Sequence, residues 1–432
     1  MTVVDLIIKK RDKQIISEKE FDLFIKGILD KSIKDYQISA FLMAIYLNGL
    51  NDDETYYLTK AMTFNGEVLN YKDIDGPIID KHSTGGIGDK VTLILAPLLA
   101  SFNLKVAKMS GRGLGYTGGT VDKIESFGAK TVFPIKEYLE ILKKNNIFII
   151  AQSDKIAPSD KIIYAIRDTS GTVNNLSLMA SSIMSKKLAT NAERIYLDVK
   201  VGDGSFFNSL VDAKKFSKMC INIGKRFNKK VIVHLTNMNK PLGRCLGNLI
   251  EVKETINFLL GNFESTHLKE IIYEFASDIL IDNKIANSKD QAYKMIDEKI
   301  SSKDAYKKFK EWAKSQKSTY DFDNINDLYK TKYTDVIVAK EDGYIDFKSN
   351  KEFGLVLIDL KAGRKNKEEK LDFLSGIYLN KTFNEYVEKG KPIITIYSSL
   401  PITSDIISRL NNNIIYNKKK LKEEKNIIGV IE

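Results

Sequence analysis

Two glycine-rich loops carry the residues best suited to hold a small anion. The first, Lys81-His82-Ser83-Thr84-Gly85-Gly86-Ile87-Gly88-Asp89, joins an ammonium, an imidazole and two hydroxyls to glycines that let backbone N–H groups approach a ligand. Thr92 adds another hydroxyl just beyond it. The loop matches neither the Walker A pattern nor G-x-G-x-x-G. The second loop runs from Lys108 to Glu125 and places five Gly within nine residues, 111 to 119, among Ser110, Thr117 and Thr120. One such loop alone is also compatible with a plain structural turn, although the Lys and hydroxyl cluster of the first favours anion binding. Two at successive strand ends point to one shared pocket for an oxyanion such as phosphate.

Arg167, Ser182 and Lys186 form a third set. Ser182 and Lys186 are four residues apart, so on a helix they share a face and a hydroxyl and an ammonium converge. Arg167 offers a planar donor fork suited to a carbonyl or carboxylate. The same spacing also fits an Arg167-Asp168 surface pair and a solvated Lys186-Lys187 helix end, and spacing alone leaves both readings open. Of the three His, only His82 falls in a candidate site; His234, within VIVHLT, reads as a core or strand-end residue and His267 as a helix cap or decoration. No cluster has zinc-ligand spacing. Cys220 reads as buried packing.

The elements that must position these groups show in the apolar pattern. Residues 1 to 70 read as helical: Ser17-Glu18-Lys19-Glu20 has capping-box spacing before a stripe of Phe21, Phe24, Ile25 and Ile28, and further helical stretches follow at Gln37 to Leu47 and Asp53 to Met62. From Ile78 the runs IIDK, VTLILAPLLASF, VAKMS, FIIAQ, IYLDVKVG and VIVHLT alternate with helices and glycine-rich loops, which predicts a mostly parallel sheet. Ligands bind at the carboxyl ends of such strands, where both loops sit. Residues 163 to 193 read as a helical interruption that returns to the first domain. Helices dominate 249 to 315, and from 333 the runs DVIVA, GYIDF, FGLVLIDL and PIITIYSS predict strands of an α+β domain. The expected fold class is α/β: a small helical domain (1–70 with 163–193), a large mixed, mostly parallel α/β domain (71–162 with 194–332) and a C-terminal α+β domain (333–432).

The 432 residues suffice for such a division, and 43% hydrophobic with 28% charged residues excludes disordered and fibrous classes. Two Cys predict a reducing, cytoplasmic setting, and no stretch has the length and apolarity of a membrane span. The net charge of +11 invites a nucleic-acid role, but only eight of the 67 basic residues are Arg and acidic residues are interspersed throughout. Such a lysine bias suits A+T-rich coding better than a binding surface. Neither nucleic acid nor membrane is expected as a partner.

SGRGLGYTGGTVDKIE at 110 to 125 closely resembles the signature of the thymidine and pyrimidine-nucleoside phosphorylases. KHSTGGIGD, the Arg167, Ser182, Lys186 spacing, PLGRCLGNLIEVKE at 241 to 254 and the C-terminal GIYLNKTFNEYVEKGKPIITIYS are similar to the same family in the same order. The resemblance implies reversible phosphorolysis of a pyrimidine nucleoside, with phosphate as co-substrate, by a cytoplasmic homodimer of nucleoside salvage. It implies that Lys81, Ser83, Thr92, Lys108, Ser110 and Thr120 face phosphate, that Arg167, Ser182 and Lys186 hold the base, and that His82, Arg167 and Lys186 act catalytically. It also implies a monovalent cation, potassium, ligated through Gly88, Lys90, Leu242, Cys245 and Glu254.

Three positions refine the resemblance. Tyr116 stands where the family usually has His, and the loop is expected to survive with altered packing. Lys90 replaces the small residue common there. Lys108 is similar to the broad-specificity branch, in which a Lys can meet the ribose 2′-hydroxyl, so uridine is expected as a substrate beside thymidine and deoxyuridine. The alternatives are a thymidine-specific phosphorylase and a phosphoribosyltransferase of the same architecture, such as anthranilate phosphoribosyltransferase, with Asp122 and Glu125 available for magnesium.

Overall fold

The computed structural model describes residues 2–432 apart from Leu114, Thr117, 326–328 and 367–368. Leu114 and Thr117 of the second glycine-rich loop therefore lie outside the described residues. The chain opens with helices α1 (Val3–Arg11), α2 (Glu18–Leu29), α3 (Asp35–Asn48) and α4 (Asp52–Phe64). The expected stripe of Phe21, Phe24, Ile25 and Ile28 packs with Phe41, Leu42, Leu58 and Met62 in one apolar core. Glu20 reaches back to accept from the Ser17 N–H at 2.6 Å, satisfying a donor that the start of α2 would leave exposed. Buried Glu54 accepts from Lys10 Nζ at 2.7 Å and from the Ile16 N–H at 2.9 Å, which fastens α1 and the α2 entry to α4.

The central segment then builds β1 (Ile78–Ser83), α5 (Val91–Ala100), β2 (Lys105–Ser110), α6 (Thr120–Ser126), α7 (Ile135–Asn145), β3 (Ile147–Ala151), α8 (Pro158–Ser170), α9 (Leu176–Ala189), β4 (Arg194–Val201), α10 (Leu210–Arg226) and β5 (Lys230–Asn237). The strands run parallel in the order β5-β4-β1-β2-β3. The apolar run at 91–100 is the helix α5, buried along its whole length. Helices α8 and α9 return to the first four: Ile163 and Leu178 lie in their apolar core, while Ala180, Met184 and Leu188 of α9 lie in the core under the sheet. Small residues let α9 approach α4 closely, as where Thr59 Oγ1 donates to Ser181 Oγ at 3.1 Å.

The remainder comprises β6 (Cys245–Gly247), α11 (Leu249–Leu259), α12 (Thr266–Asp282), α13 (Lys289–Ser301), α14 (Asp304–Ser315), β7 (Tyr333–Val338), β8 (Gly343–Phe347), α15 (Asn350–Asp359), β9 (Gly376–Leu379), β10 (Tyr386–Val387), β11 (Pro392–Ser398), α16 (Ser404–Asn413), β12 (Ile414–Asn417) and β13 (Ile427–Ile431). FGLVLIDL, expected as a strand, is mostly the helix α15: Phe353, Val356 and Leu360 recur at helical spacing and are buried. The units also exchange strands beyond the expected boundaries. β6 pairs with β9 in the sheet β6-β9-β11-β7, and β13 leaves the last unit to extend the central sheet, antiparallel to β5. Among the described residues no helix is long and apolar enough to cross a membrane.

Candidate active site

The period of two along β1 and β2 sorts the candidate residues onto opposite faces of the sheet. Lys81 and Ser83 share one face of β1, and the pairing of Ile79 with Val106 puts Lys108 and Ser110 of β2 on that same face. Pairing of Ser83 with Asp198 adds Asp198 and Lys200 of β4. Asp80 and His82 point to the other face, toward α9, whose Lys187 contacts Asp80. Thr92 lies in the first turn of α5 and Thr120 opens α6, each just after the loop that leaves a strand's carboxyl end.

The first face is a buried lattice of cations and carboxylates. Lys81 Nζ and Lys200 Nζ lie 3.0 and 2.9 Å from the same Asp198 Oδ2, and Thr236 Oγ1 donates to Asp198 Oδ1 at 2.7 Å. Ser83 Oγ donates to Asp89, whose other oxygen accepts from the Val91 N–H at 3.2 Å and whose carbonyl accepts from Lys123 Nζ at 2.9 Å. Burial pushes the Asp89 carboxyl up, but Lys200, Lys81 and Lys123 outweigh it and hold it well below the usual range. Lys108 Nζ donates to the Lys81 carbonyl. Burial first, then Lys187 and Lys81, push the Lys108 ammonium well below the ordinary lysine value, so this space disfavours positive charge until an anion enters it. The buried Ser110 hydroxyl has no hydrogen-bond partner among the described residues, as expected of a group kept for a ligand.

The second face meets α8 and α9. Arg167, 1% exposed, donates to the carbonyls of Thr172, Leu178 and Val173 at 3.3, 3.1 and 2.6 Å. These bonds fix the guanidinium plane and leave one N–H on each terminal nitrogen. Lys186 Nζ contacts the carboxylate of Asp160 and donates to Ser182 Oγ at 3.1 Å, so the spacing of four does bring hydroxyl and ammonium together. Asp160 also accepts from Gln152 Nε2 at 2.8 Å, while its other oxygen, the Ser159 hydroxyl and His82 Nδ1 are buried without partners among the described residues. Burial lowers the His82 pKa well below 6.5, with Lys187, Lys108, Lys186 and Lys81 adding to the effect, so its imidazole is neutral near pH 7. Lys187, far from being a solvated helix end, is fully buried: its Nζ lies 3.0 Å from Asp80 Oδ2 and donates to the Met109 carbonyl at 2.8 Å. On the two faces Lys81, Lys108, Lys123, Lys186, Lys187, Lys200 and Arg167 outnumber Asp80, Asp89, Asp160, Asp198 and Glu251. That excess suits an anionic ligand.

Residues 4–66 match the model described as glycosyl transferase family, helical bundle domain; 75–306 match its a/b domain; and 344–417 match the pyrimidine nucleoside phosphorylase C-terminal domain. Relatives include the thymidine phosphorylase of Mycoplasmoides pirum, 43% identical over 95% of this chain and 98% of that one. The chain belongs to the thymidine and pyrimidine-nucleoside phosphorylase family. The pyrimidine-nucleoside phosphorylase of Staphylococcus epidermidis is 40% identical over 97% of both chains. Anthranilate phosphoribosyltransferase from Thermus thermophilus shares the fold alone, with a TM-score of 0.58 at 15% identity over 72% of this chain and 99% of that one.

The cation site expected of this phosphorylase-family chain does not fit its residues. Lys90 is a fully buried side chain whose Nζ donates to the Leu242 carbonyl at 2.6 Å and lies 2.9 Å from Glu254 Oε2. Glu254 also accepts from the N–H groups of Arg244 and Cys245 at 2.8 and 2.9 Å. A Cβ on Gly243 would come within 2.6 Å of both Glu254 oxygens and of Lys90 Nζ; one on Gly88 would come within 2.5 Å of the Leu242 carbonyl oxygen. An ammonium already stands among the expected ligands. The Lys90 carbonyl accepts from the Leu93 N–H at 2.9 Å.

Tyr116 keeps the second loop anchored: its hydroxyl donates to the Ser205 carbonyl at 3.0 Å, and Lys351 Nζ sits 5.0 Å from its ring centre. His234 is a buried strand residue beside Asp278, as expected, whereas His267 is buried within α12 rather than decorating its surface. The residues missed from sequence are Asp80, Asp198 and Lys200, together with Asp160 and Lys187. For the first three the signal was present: charges inside the otherwise apolar strands IIDK and IYLDVKVG stand where only paired or functional charges persist.

Proposed function

We propose that this protein catalyses the reversible phosphorolysis of pyrimidine nucleosides, uridine, thymidine and deoxyuridine, to free base and pentose 1-phosphate. The observation that carries the reading is the division of the buried cations between a sheet face whose Ser110 hydroxyl has no partner among the described residues and the α8–α9 pair bearing Arg167, Ser182 and Lys186. Phosphate would lie among Lys81, Ser83, Thr92, Lys108, Ser110 and Thr120, and the base against Arg167, Ser182, Lys186 and His82.

A phosphate oxygen attacks C1′ as the bond from C1′ to N1 of the base breaks, and its electron pair leaves with the base. The proton carried by hydrogen phosphate ends on that base. No protein nucleophile is required. The chain's part is to fix phosphate below the sugar and to stabilise charge developing on the base, where each aimed donor is worth about 10²–10³ in rate. The free N–H groups of Arg167 and the Lys186 ammonium suit the base carbonyl edge. A neutral His82 donates a hydrogen bond and does not serve as a strong acid.

Lys108 lies on the phosphate face and is our candidate for contacting the ribose 2′-hydroxyl, which supports uridine as a substrate. The relatives carry both thymidine and pyrimidine-nucleoside names, so the distinction rests on this residue. Two free, buried cysteines fit a cytoplasmic setting, and the exposed apolar residues Val4, Ile8, Tyr36 and Leu47 on α1 and α3 support packing against a second copy. The test is incubation with uridine and phosphate without added metal. Release of uracil and ribose 1-phosphate is expected; no release overturns the reading, and dependence on magnesium and pyrophosphate favours the phosphoribosyltransferase alternative.

A further inference from the structure

We infer that Lys90 is a tethered cation: its ammonium does the work of a bound monovalent ion, and the protein needs no potassium. An ammonium and a potassium ion are similar in size and both are held by carbonyl and carboxylate oxygens at short range, the ammonium by donating hydrogen bonds to them and potassium by coordination. Here the ammonium spans Leu242, which precedes β6, and Glu254 of α11. It is attached to the residue that follows Asp89 and caps α5. Asp89 in turn accepts from Ser83 Oγ, and its carbonyl accepts from Lys123 Nζ at 2.9 Å, while Lys123 lies 3.0 Å from Glu251 one turn before Glu254. Two buried lysines thus clamp the first glycine-rich loop to α11.

The charges support the assignment. The fully buried Lys90 ammonium has the Glu254 carboxylate 2.9 Å away and donates to the Leu242 carbonyl at 2.6 Å, so its counter-groups are those expected to surround a free cation. The two glycines with positive φ, Gly243 and Gly88, have no room for a Cβ because Glu254, Lys90 and the Leu242 carbonyl already fill the space. Lys90 is a positioning residue: it touches neither substrate but sets the backbone that aims Asp89 and Ser83. This role deepens the phosphorolysis reading, yet its main test does not depend on it.

That test compares melting of the wild-type protein in potassium chloride and in choline chloride at equal ionic strength. We expect the same midpoint in both; a midpoint that rises saturably with potassium, as mass action requires of a ligand of the folded state, overturns the proposal. The complement is Lys90→Ala, which recreates a small residue and vacates the ammonium's place. In choline it should melt lower and, through a misplaced loop, lose about 10²-fold in kcat/KM for phosphate. Potassium or ammonium should restore both, choline neither. A Lys90→Ala chain that melts and turns over like wild type without potassium, or that potassium fails to restore, equally overturns the assignment. If Lys90→Ala does not fold in choline, folding on addition of potassium is the supporting result, and Lys90→Met, which fills the space with an apolar chain, should be insensitive to potassium. A potassium-independent wild type that releases no uracil would leave the tethered cation standing and the reaction wrong.

Discussion

Replacing Lys186 with Met separates what this residue does for the fold from what it does for the reaction. Its side chain is 14% exposed, and its ammonium pairs with Asp160, whose side chain is 1% exposed. Removing one member of a buried pair costs about 3–5 kcal/mol. Gln152, which also donates to Asp160 at 2.8 Å, should hold the loss toward the lower end. The kinetic loss has a different origin: a donor aimed at charge that develops only in the transition state is worth about 2.7–4 kcal/mol, or about 10²–10³ in kcat. The double variant Lys186→Met, Asp160→Asn removes the stranded carboxylate, so stability should largely return while the rate should not. Uracil release under saturating phosphate gives kcat, and urea unfolding gives stability. A single variant within tenfold of wild-type kcat, or a double variant that regains rate along with stability, would refute the placement of Lys186 at the base.

Lys187→Met strands Asp80, which keeps only Thr190 Oγ1 at 3.2 Å, and should destabilise the protein by about 3–5 kcal/mol in urea; Asp80→Asn on top of it should recover part of that loss. His82 titrates below 6.5 in the folded chain, so its contribution to stability is complete above pH 6.5 and is lost as the pH falls from there through the folded value; urea midpoints should follow that sign. For the same reason kcat should show no limb near pH 6.5, and such a limb abolished by His82→Asn would count against a neutral imidazole. Lys108→Met should depress uridine turnover more than thymidine turnover in paired assays; equal losses would remove Lys108 from ribose recognition.

The glycine-rich loops were legible because glycine type and hydroxyl spacing are themselves the local chemistry. Ser182 and Lys186 were legible because a helical spacing of four survives any packing. Lys187 was not, because one position further round a helix separates the two environments and only the sheet beneath α9 decides which is buried. The runs at 91–100 and 353–360 lacked a clear polar face: α5 is buried all round, and Gly354 of α15 lies so close to Tyr116 that a Cβ there would meet its carbonyl oxygen at 2.2 Å. β13 was illegible for a non-local reason, since its strand character comes from pairing with β5 far away in sequence. The sequence also put Lys90 among the ligands of an ion. That assignment came from the family resemblance, and a resemblance cannot tell a backbone carbonyl that binds a cation from a side chain that brings one.

Helix α9 has no face left over. Leu178 lies in the core of the first four helices, Ala180, Met184 and Leu188 lie under the sheet, and Lys186 and Lys187 reach Asp160 and Asp80 between them. Pulling the bundle away would strip one side of a helix whose other side completes the sheet, so the two units share a single structural member. Backbone amides of α9 should therefore exchange with deuterium only as slowly as the most protected strands, while α1, at the outer edge of the bundle, opens independently. Cooperativity across the joint is then a property of this one helix, and its small residues at 180, 181, 185 and 189 are where a single added methyl group would be felt in both halves of the molecule.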